Sequence, residues 1–157
     1  MITVSYQMNA TADRFYDLLM NSVKYDIEQK TGTDVDLRDI KSGYVYKTRL
    51  TNKLGRKGVA KATLTKIEHP YCYEAQFETP RGVNTISYHI KDLDDDVIEI
   101  TYSEQYASGS AAVTLNFKIM SFFYKRSTRR KMFYILNQMD RYLQSTQEEE
   151  NKNIFEE

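Results

Sequence analysis

One carboxylate, Glu104, holds a position in the sequence from which it could take part in chemistry. It shares strand parity with Ile100 and Tyr102, so a strand over residues 97–106 would direct its side chain into the core. A carboxyl group kept away from water can exchange a proton or anchor the polar end of a ligand. Two other interpretations stay open: a local bulge turns Glu104 outward, or it pairs with a base such as Arg49.

Tyrosine is unusually common on the sheet face that Glu104 shares. Seven of the twelve residues that best match the buried alternation are tyrosines, whereas a tightly packed core favours side chains without a hydroxyl. We therefore expect a roomy, partly wet cavity that takes a small apolar or amphipathic molecule. The alternative is a filled core whose hydroxyls reach its rim. The twelve residues are Tyr44, Tyr46, Tyr71, Tyr73, Phe77, Ile86, Tyr88, Ile90, Ile98, Ile100, Tyr102 and Tyr106.

The predicted ligand site joins this face to the last helix of the chain. An apolar stripe at helical spacing predicts a helix over about 117–143, and Met120 and Tyr124 lie on that stripe. These two side chains would face the tyrosines and Glu104 across the cavity. The candidate ligand-binding residues are Tyr44, Tyr46, Tyr73, Tyr88, Tyr102, Glu104, Tyr106, Met120 and Tyr124.

The sequence contains no residue pattern typical of metal binding, cofactor binding or catalysis by paired carboxylates. His69 and His89 are not at ligand spacing with Cys72, so we expect no metal site and no cofactor. Glu99 and Glu104 are five residues apart on one strand and face opposite sides, so they cannot act as a paired acid and base. The sequence therefore favours a non-catalytic protein. A cyclase or hydratase that uses Glu104 with tyrosine hydroxyls is the less favoured alternative.

A second candidate surface is basic and aromatic. At about 100° per residue, Arg126, Arg129 and Arg130 spread over the outer side of the last helix, and Phe122 and Phe133 project to the same side. The first expectation is a solvated helix face. The next is an interface between two copies of the chain, because arginine and aromatic rings are enriched at such contacts. An anionic membrane surface or a nucleic acid is the last alternative.

Acidic residues concentrate at the end of the chain. Residues 146–157 contain five acids and one base and have little to bury, which predicts a flexible tail after a single domain over residues 1–145. This tail could fold back over the basic face, although exposed ion pairs contribute little and are screened by salt.

The remaining elements follow from periodicity and turn residues. A strand is predicted over 2–8, a helix from Ala12 to about Lys30 with Gly32 as its end, and a short helix around 35–40. Turn signals about every ten residues then predict an antiparallel meander. A curved sheet of about six strands wrapped around the last helix buries every apolar stripe, which is an α+β architecture. The predicted meander strands begin near Tyr44 and continue over 59–67, 71–79, 83–91 and 97–106.

Composition narrows the class of partner. The 22 basic residues equal the 22 acidic residues in number, so the overall charge favours no nucleic acid. A single cysteine allows no internal disulfide and fits a reducing cytoplasm. No stretch approaches the roughly 20 apolar residues of a membrane span, so no integral membrane association is expected.

This order of elements resembles the helix-grip fold of the START-like, Bet v 1-like superfamily, also called SRPBCC. The segment MNATADRFYDLL (8–19) resembles the strand-to-helix start of that fold. Further segments resemble an uncharacterised bacterial branch, a domain of unknown function, and the resemblance covers nearly the whole chain. These segments are IEQKTG (27–32), SGYVYKT (42–48), EITYSEQY (99–106) and KRSTRRK (125–131).

The resemblance implies a location for a ligand but no activity. Proteins of this superfamily often hold an apolar or amphipathic molecule between the sheet and the long helix, whereas some are enzymes and others have filled cores. Together with the tyrosine-rich face, this favours a binding module for a small molecule. The alternative is a homodimeric interaction module with a filled core.

Overall fold

The computed structural model describes residues 1–51, 57–108 and 115–155, with side chains described over 1–48, 58–107 and 126–154. The chain forms an α+β structure with a six-stranded antiparallel sheet and a long C-terminal helix, so the predicted fold class is confirmed. In chain order the elements are β1 (Ile2–Met8), α1 (Ala12–Thr31), a one-turn 3-10 helix (Leu37–Asp39), β2 (Tyr44–Thr51), β3 (Lys57–Glu68), β4 (Cys72–Thr79), β5 (Gly82–Asp94), β6 (Val97–Ser108) and α2 (Leu115–Phe155).

The sheet order is β1-β6-β5-β4-β3-β2, and each neighbouring pair is antiparallel. The meander therefore runs from β2 to β6, and the N-terminal strand pairs with its last member. As a result, β1 and β2 lie at the two edges of the sheet, far apart in order but both close to a helix. Among the described residues, helix α2 packs mainly against β1, and helix α1 packs mainly against β2.

Local sequence signals set both ends of α1. Thr11 is the N-cap, and its side-chain oxygen accepts a hydrogen bond from the backbone N–H of Arg14 at 3.3 Å. Gly32 ends the helix in the left-handed region at φ 69°, which a residue without a Cβ adopts at little cost. Between these ends, Phe15 and Tyr16 are fully buried against the sheet.

Helix α2 is longer than the sequence predicts. It continues to Phe155 instead of ending near residue 143, so residues 146–155 are helical, and the flexibility of this segment stays a prediction. Two features favour the extension: the segment is rich in the good helix formers Glu and Gln, and Arg14 ties the helix to α1. The Arg14 guanidinium donates to the Leu143 carbonyl at 3.4 Å and to Thr146 Oγ1 at 3.1 Å. A domain boundary at residue 145 stays a prediction.

The core lies between the concave face of the sheet and one stripe of α2. Met132, Leu136 and Leu143 form the buried part of that stripe and join a single apolar cluster with Ile98 and Ile100 of β6. Over the described residues, neither helix contains an apolar stretch long enough to cross a bilayer.

Shortening a side chain on the buried stripe should destabilise the fold. Leu136 is fully buried, so Leu136→Ala removes apolar contacts and leaves a cavity, and we expect the free energy of unfolding to fall by about 2–5 kcal/mol. Ile154→Ala is the control: this side chain is 71% exposed, and we expect a change within about 0.5 kcal/mol. Urea denaturation measures both values, and equal effects would contradict the placement of the core.

Candidate functional site

Three tyrosines form one row across the centre of the concave face. Cross-strand register places Tyr73 of β4 opposite Tyr88 of β5, and Tyr88 opposite Tyr102 of β6. Their ring centroids are 6.1 Å and 5.1 Å apart, with tilted and edge-to-face geometry, and all three side chains are buried. Each ring points inward, as the alternation predicts, and the row forms an aromatic floor under the helices.

Glu104 lies in the next row, opposite Ile86 on one side and Ile2 on the other. The predicted inward orientation is correct, since the residue is only 9% exposed. One carboxylate oxygen accepts a hydrogen bond from Asn84 Nδ2 at 3.0 Å, and the other accepts from the Tyr102 hydroxyl at 3.0 Å. The tyrosine row and the carboxylate are therefore one connected polar network inside an otherwise apolar face.

Two further polar atoms of this face have acceptor capacity to spare. Among the described residues, Asn84 Oδ1 and Thr48 Oγ1 are buried without a hydrogen-bond partner. Because the Asn84 amide directs its N–H toward Glu104, its oxygen faces away from the carboxylate. Buried polar groups are almost always satisfied in folded proteins, so two such atoms on one face need an explanation.

Small side chains lie beside Thr48 and along the neighbouring rows, whereas Asn84 lies between Phe77 and Tyr106. Ala60 pairs with Thr48, Ala62 pairs with Tyr46, and Ala75 is the β4 neighbour of Ile86 on the Glu104 row. All three alanines are fully buried. At these alanine positions the strands contribute little side-chain volume. The space between the sheet and α2 therefore depends on the side chains of α2.

Three candidate residues belong to the first turns of α2. Met120, Phe122 and Tyr124 have side chains outside the described residues, as does Arg49 of β2. Their assignments to the ligand site, to the outer surface and to a pair with Glu104 therefore stay predictions.

Burial keeps the phenols of the inner face protonated. It raises the pKa of Tyr88 to about 12, with the nearby Glu104 charge as the second cause. Burial and then Asp26 raise the pKa of Tyr46 to about 12. The pKa of Tyr73 is raised further, chiefly by burial, and Tyr16 reaches about 12 for the same reason. At neutral pH these hydroxyls can orient a ligand, but they are poor bases.

Two tyrosines assigned to the inner face are about half exposed at its ends. Tyr106 is 48% exposed near the end of β6, where its hydroxyl donates to the Arg81 carbonyl at 2.9 Å. Tyr71 is 49% exposed in the turn before β4, and its hydroxyl donates to Asp92 at 2.8 Å. Tyr71 precedes the first residue of β4, so strand alternation does not apply to it and its inward assignment is wrong. Tyr106 lies opposite Asn84 and keeps the inward register, so its exposure marks the open end of the face, and its assignment to the ligand site stays a prediction. Tyr44 is half-buried beside Tyr46, with ring centroids 6.3 Å apart.

The basic and aromatic residues of α2 border a separate groove. It has a volume of about 840 Å³ and opens to solvent between the edge strand β1 and the outer side of α2. Arg129 and Arg130 are exposed, as is Arg126 nearby, and Phe133 is 53% exposed with its ring 5.2 Å from that of Tyr6. The lining residues are Thr3, Val4, Arg129, Arg130, Phe133, Tyr134 and Asn137.

Sequence reasoning missed part of each site. Tyr134 and Asn137 follow Arg130 at helical spacing, so a longer helical projection would have found them. Asn84 also alternates with Ile86 and Tyr88 along β5, but it was not assigned to the inner face because it is polar. No local signal could place Thr3 beside the arginines, because that contact depends on how β1 packs against α2.

The histidines and the cysteine stay apart from both sites. His69 lies at the surface with its Nε2 3.3 Å from Asp17 Oδ1 and its ring against Tyr16. Cys72 is buried, and burial raises the pKa of its thiol. In the described part of the chain, no three side chains of the metal-binding types come together.

A family profile for a domain of unknown function, DUF3284, matches residues 2–125. The chain belongs to this family. Solved structures share the helix-grip architecture, so the predicted fold and its resemblance to Bet v 1-like structures are confirmed. No functionally curated protein matches the sequence.

Several solved structures share the fold at low sequence identity. A protein of unknown function from Staphylococcus aureus superposes with a TM-score of 0.60 at 12% identity, covering 94% of this chain and 96% of that one. Ara h 8.0201 gives 0.60 at 9%, with 92% and 97% covered. DynU16, from the dynemicin biosynthetic locus, gives 0.58 at 7%, with 92% and 47% covered. Similarity at this level shows the fold alone.

The buried phenols should make stability fall at high pH. Their folded-state pKa exceeds the unfolded value of about 10, so their contribution is complete below about pH 10 and is lost as the pH rises toward about 12. Urea denaturation between about pH 9 and about pH 11 should show this decline. Tyr88→Phe should decline less steeply, whereas Tyr142→Phe, at an exposed position, should follow the parent protein. Identical slopes for all three would contradict this environment for Tyr88.

Proposed function

We propose that this domain is a non-catalytic binding module for a small amphipathic molecule held between the concave face of the sheet and α2. One observation carries the proposal: the Glu104 network leaves the buried Asn84 Oδ1 without a partner among the described residues. A bound molecule with its own polar group would satisfy this oxygen. The adjoining tyrosine row offers the apolar surface that the rest of such a molecule needs.

The free acceptor defines the polar end of the ligand. A carboxylate accepts hydrogen bonds, so Glu104 holds the Asn84 amide with its N–H toward the carboxylate and its Oδ1 turned away, without a partner in the described part of the chain. An available acceptor selects a donor, which is a hydroxyl or an amine on the ligand. The apolar body would then lie along Tyr88 and Tyr102, whose rings cover the centre of the face.

The same network argues against catalysis. General acid–base chemistry on one substrate needs two groups that can give and take a proton near the working pH. Within the described part of the chain, Glu104 is the one buried carboxylate, and its phenol neighbours keep their protons at neutral pH. Binding therefore fits the described side chains better than a cyclase or hydratase reaction does.

Ligand uptake can be tested with probes of defined chemistry. Fluorescence of anilinonaphthalene sulfonate reports occupation of the apolar face, and decanol competes for it. In competition with the dye, we expect decanol to bind about 2–10 times more tightly than decyl methyl ether, because only the alcohol donates a hydrogen bond to Asn84 Oδ1. In Asn84→Ala this preference should disappear. If the parent protein takes up neither dye nor decanol, the proposal is wrong.

Replacing the carboxylate gives an independent test. Glu104→Gln removes the charge that orients Asn84 and Tyr102, and we expect decanol binding to weaken by about tenfold or more. Glu99→Gln is the matched control, since Glu99 lies on the same strand and faces the other side of the sheet. Unchanged binding by a folded Glu104→Gln variant would remove Glu104 from the site.

A further inference from the structure

The outer face of α2 has a basic end without counter-charges. Arg126, Arg129, Arg130 and Lys131 are exposed, and none of them forms an ion pair with another described residue. Two of these arginines border the groove beside β1, together with the half-exposed ring of Phe133. Clustered arginine and aromatic surface of this kind is typical of a protein interface.

The same helix ends in an acidic segment that is equally unpartnered. Glu148, Glu149 and Glu150 are exposed, and no ion pair joins them to the described residues. Ile154, an apolar residue, is 71% exposed in the next turn. This part of α2 extends past its last ties to α1, the bonds from Arg14 to Leu143 and Thr146.

The two charged ends cannot meet within one molecule. Residues 130 and 148 lie on one continuous helix, and a rise of about 1.5 Å per residue separates them by about 27 Å. The fold-back of the acidic segment over the basic face that the sequence suggests is therefore wrong. Complementary charges on a single rigid element can be joined only by a second molecule.

A stripe along this outer face has the spacing of a helix–helix seam. Its members recur at intervals of four and three residues, the spacing of coiled-coil contact positions, and they lie on the side of the helix away from Leu136. Going along the helix, they are Arg130, Tyr134, Asn137, Arg141, Gln144 and Glu148. Two of them, Asn137 and Gln144, are half-buried and also donate to the Tyr6 hydroxyl and the Asn9 carbonyl of the same chain.

We propose that two copies of this chain form a symmetric dimer through antiparallel contact of their α2 helices. A two-fold axis near residue 139 places Arg130 opposite Glu148 of the partner subunit and Tyr134 opposite Gln144 of the partner subunit. Symmetry repeats each contact, so the basic end of either helix meets the acidic end of the other. A parallel arrangement would set arginine against arginine, and like charges would oppose it.

The first measurement is the oligomeric state of the full chain. Sedimentation equilibrium from about 10 μM to about 1 mM protein should show a monomer–dimer equilibrium at low salt. Because the contacts are largely ionic and exposed, raising the salt from about 0.05 M to about 0.5 M should shift it toward monomer. A monomer at every concentration and salt level overturns the proposal.

Charge reversal then tests the pairing. Arg129→Glu with Arg130→Glu, and separately Glu148→Arg with Glu149→Arg, should each weaken dimerisation by about tenfold or more. The variant with all four changes restores opposite charges across the interface and should recover the dimer. Lys41→Glu with Lys47→Glu, on exposed residues away from α2, is the matched control and should change nothing.

The outcomes separate this surface from others. Circular dichroism first establishes that each variant keeps its helix content. If the dimer persists in both the double arginine variant and the double glutamate variant, it uses another surface. If the variant with all four changes does not recover the dimer, the dimer does not depend on this charge pairing. Either result overturns the antiparallel α2 contact. Decanol binding at the concave face is read separately and is expected to be the same in monomer and dimer.

Discussion

The long helix α2 has to bury one apolar stripe against the concave face of a curved sheet, and most other features follow from that contact. Met132, Leu136 and Leu143 face the sheet, which determines how the helix is rotated about its axis. That rotation leaves Arg130 and Tyr134 on the opposite side, next to the edge strand β1. One packing constraint thus divides the molecule into an inner face with tyrosines and an outer face with arginines.

Buried polar groups on the inner face lower the stability of the fold unless hydrogen bonds or a function compensate for them. Glu104 and Thr48 are buried, and an apolar residue at either position would avoid the loss of hydration. The Glu104 bonds to Asn84 and Tyr102 offset part of that loss, and the tyrosine row covers the network from one side. A face built in this way fits the ligand binding that we propose better than it fits maximal stability.

Membership of the DUF3284 family and the helix-grip fold locate this face but do not assign its chemistry. Proteins that share the architecture at 7–12% identity show the fold alone. The inward side chains of this chain include Tyr73, Tyr88 and Tyr102 in register, with Glu104 one inward position further along β6 and Asn84 two inward positions away along β5.

Periodicity alone determined the element order, the helix caps at Thr11 and Gly32, and the inward orientation of Glu104, because these depend on residues close together in the chain. Tertiary structure decided the rest. Strand register brought Asn84 to Glu104, the packing of β1 against α2 formed the groove, and the ends of β6 and β4 turned Tyr106 and Tyr71 to solvent. The continuation of α2 past residue 143 was also decided there, since Arg14 bonds to Leu143 and Thr146 at the point where the continuation begins.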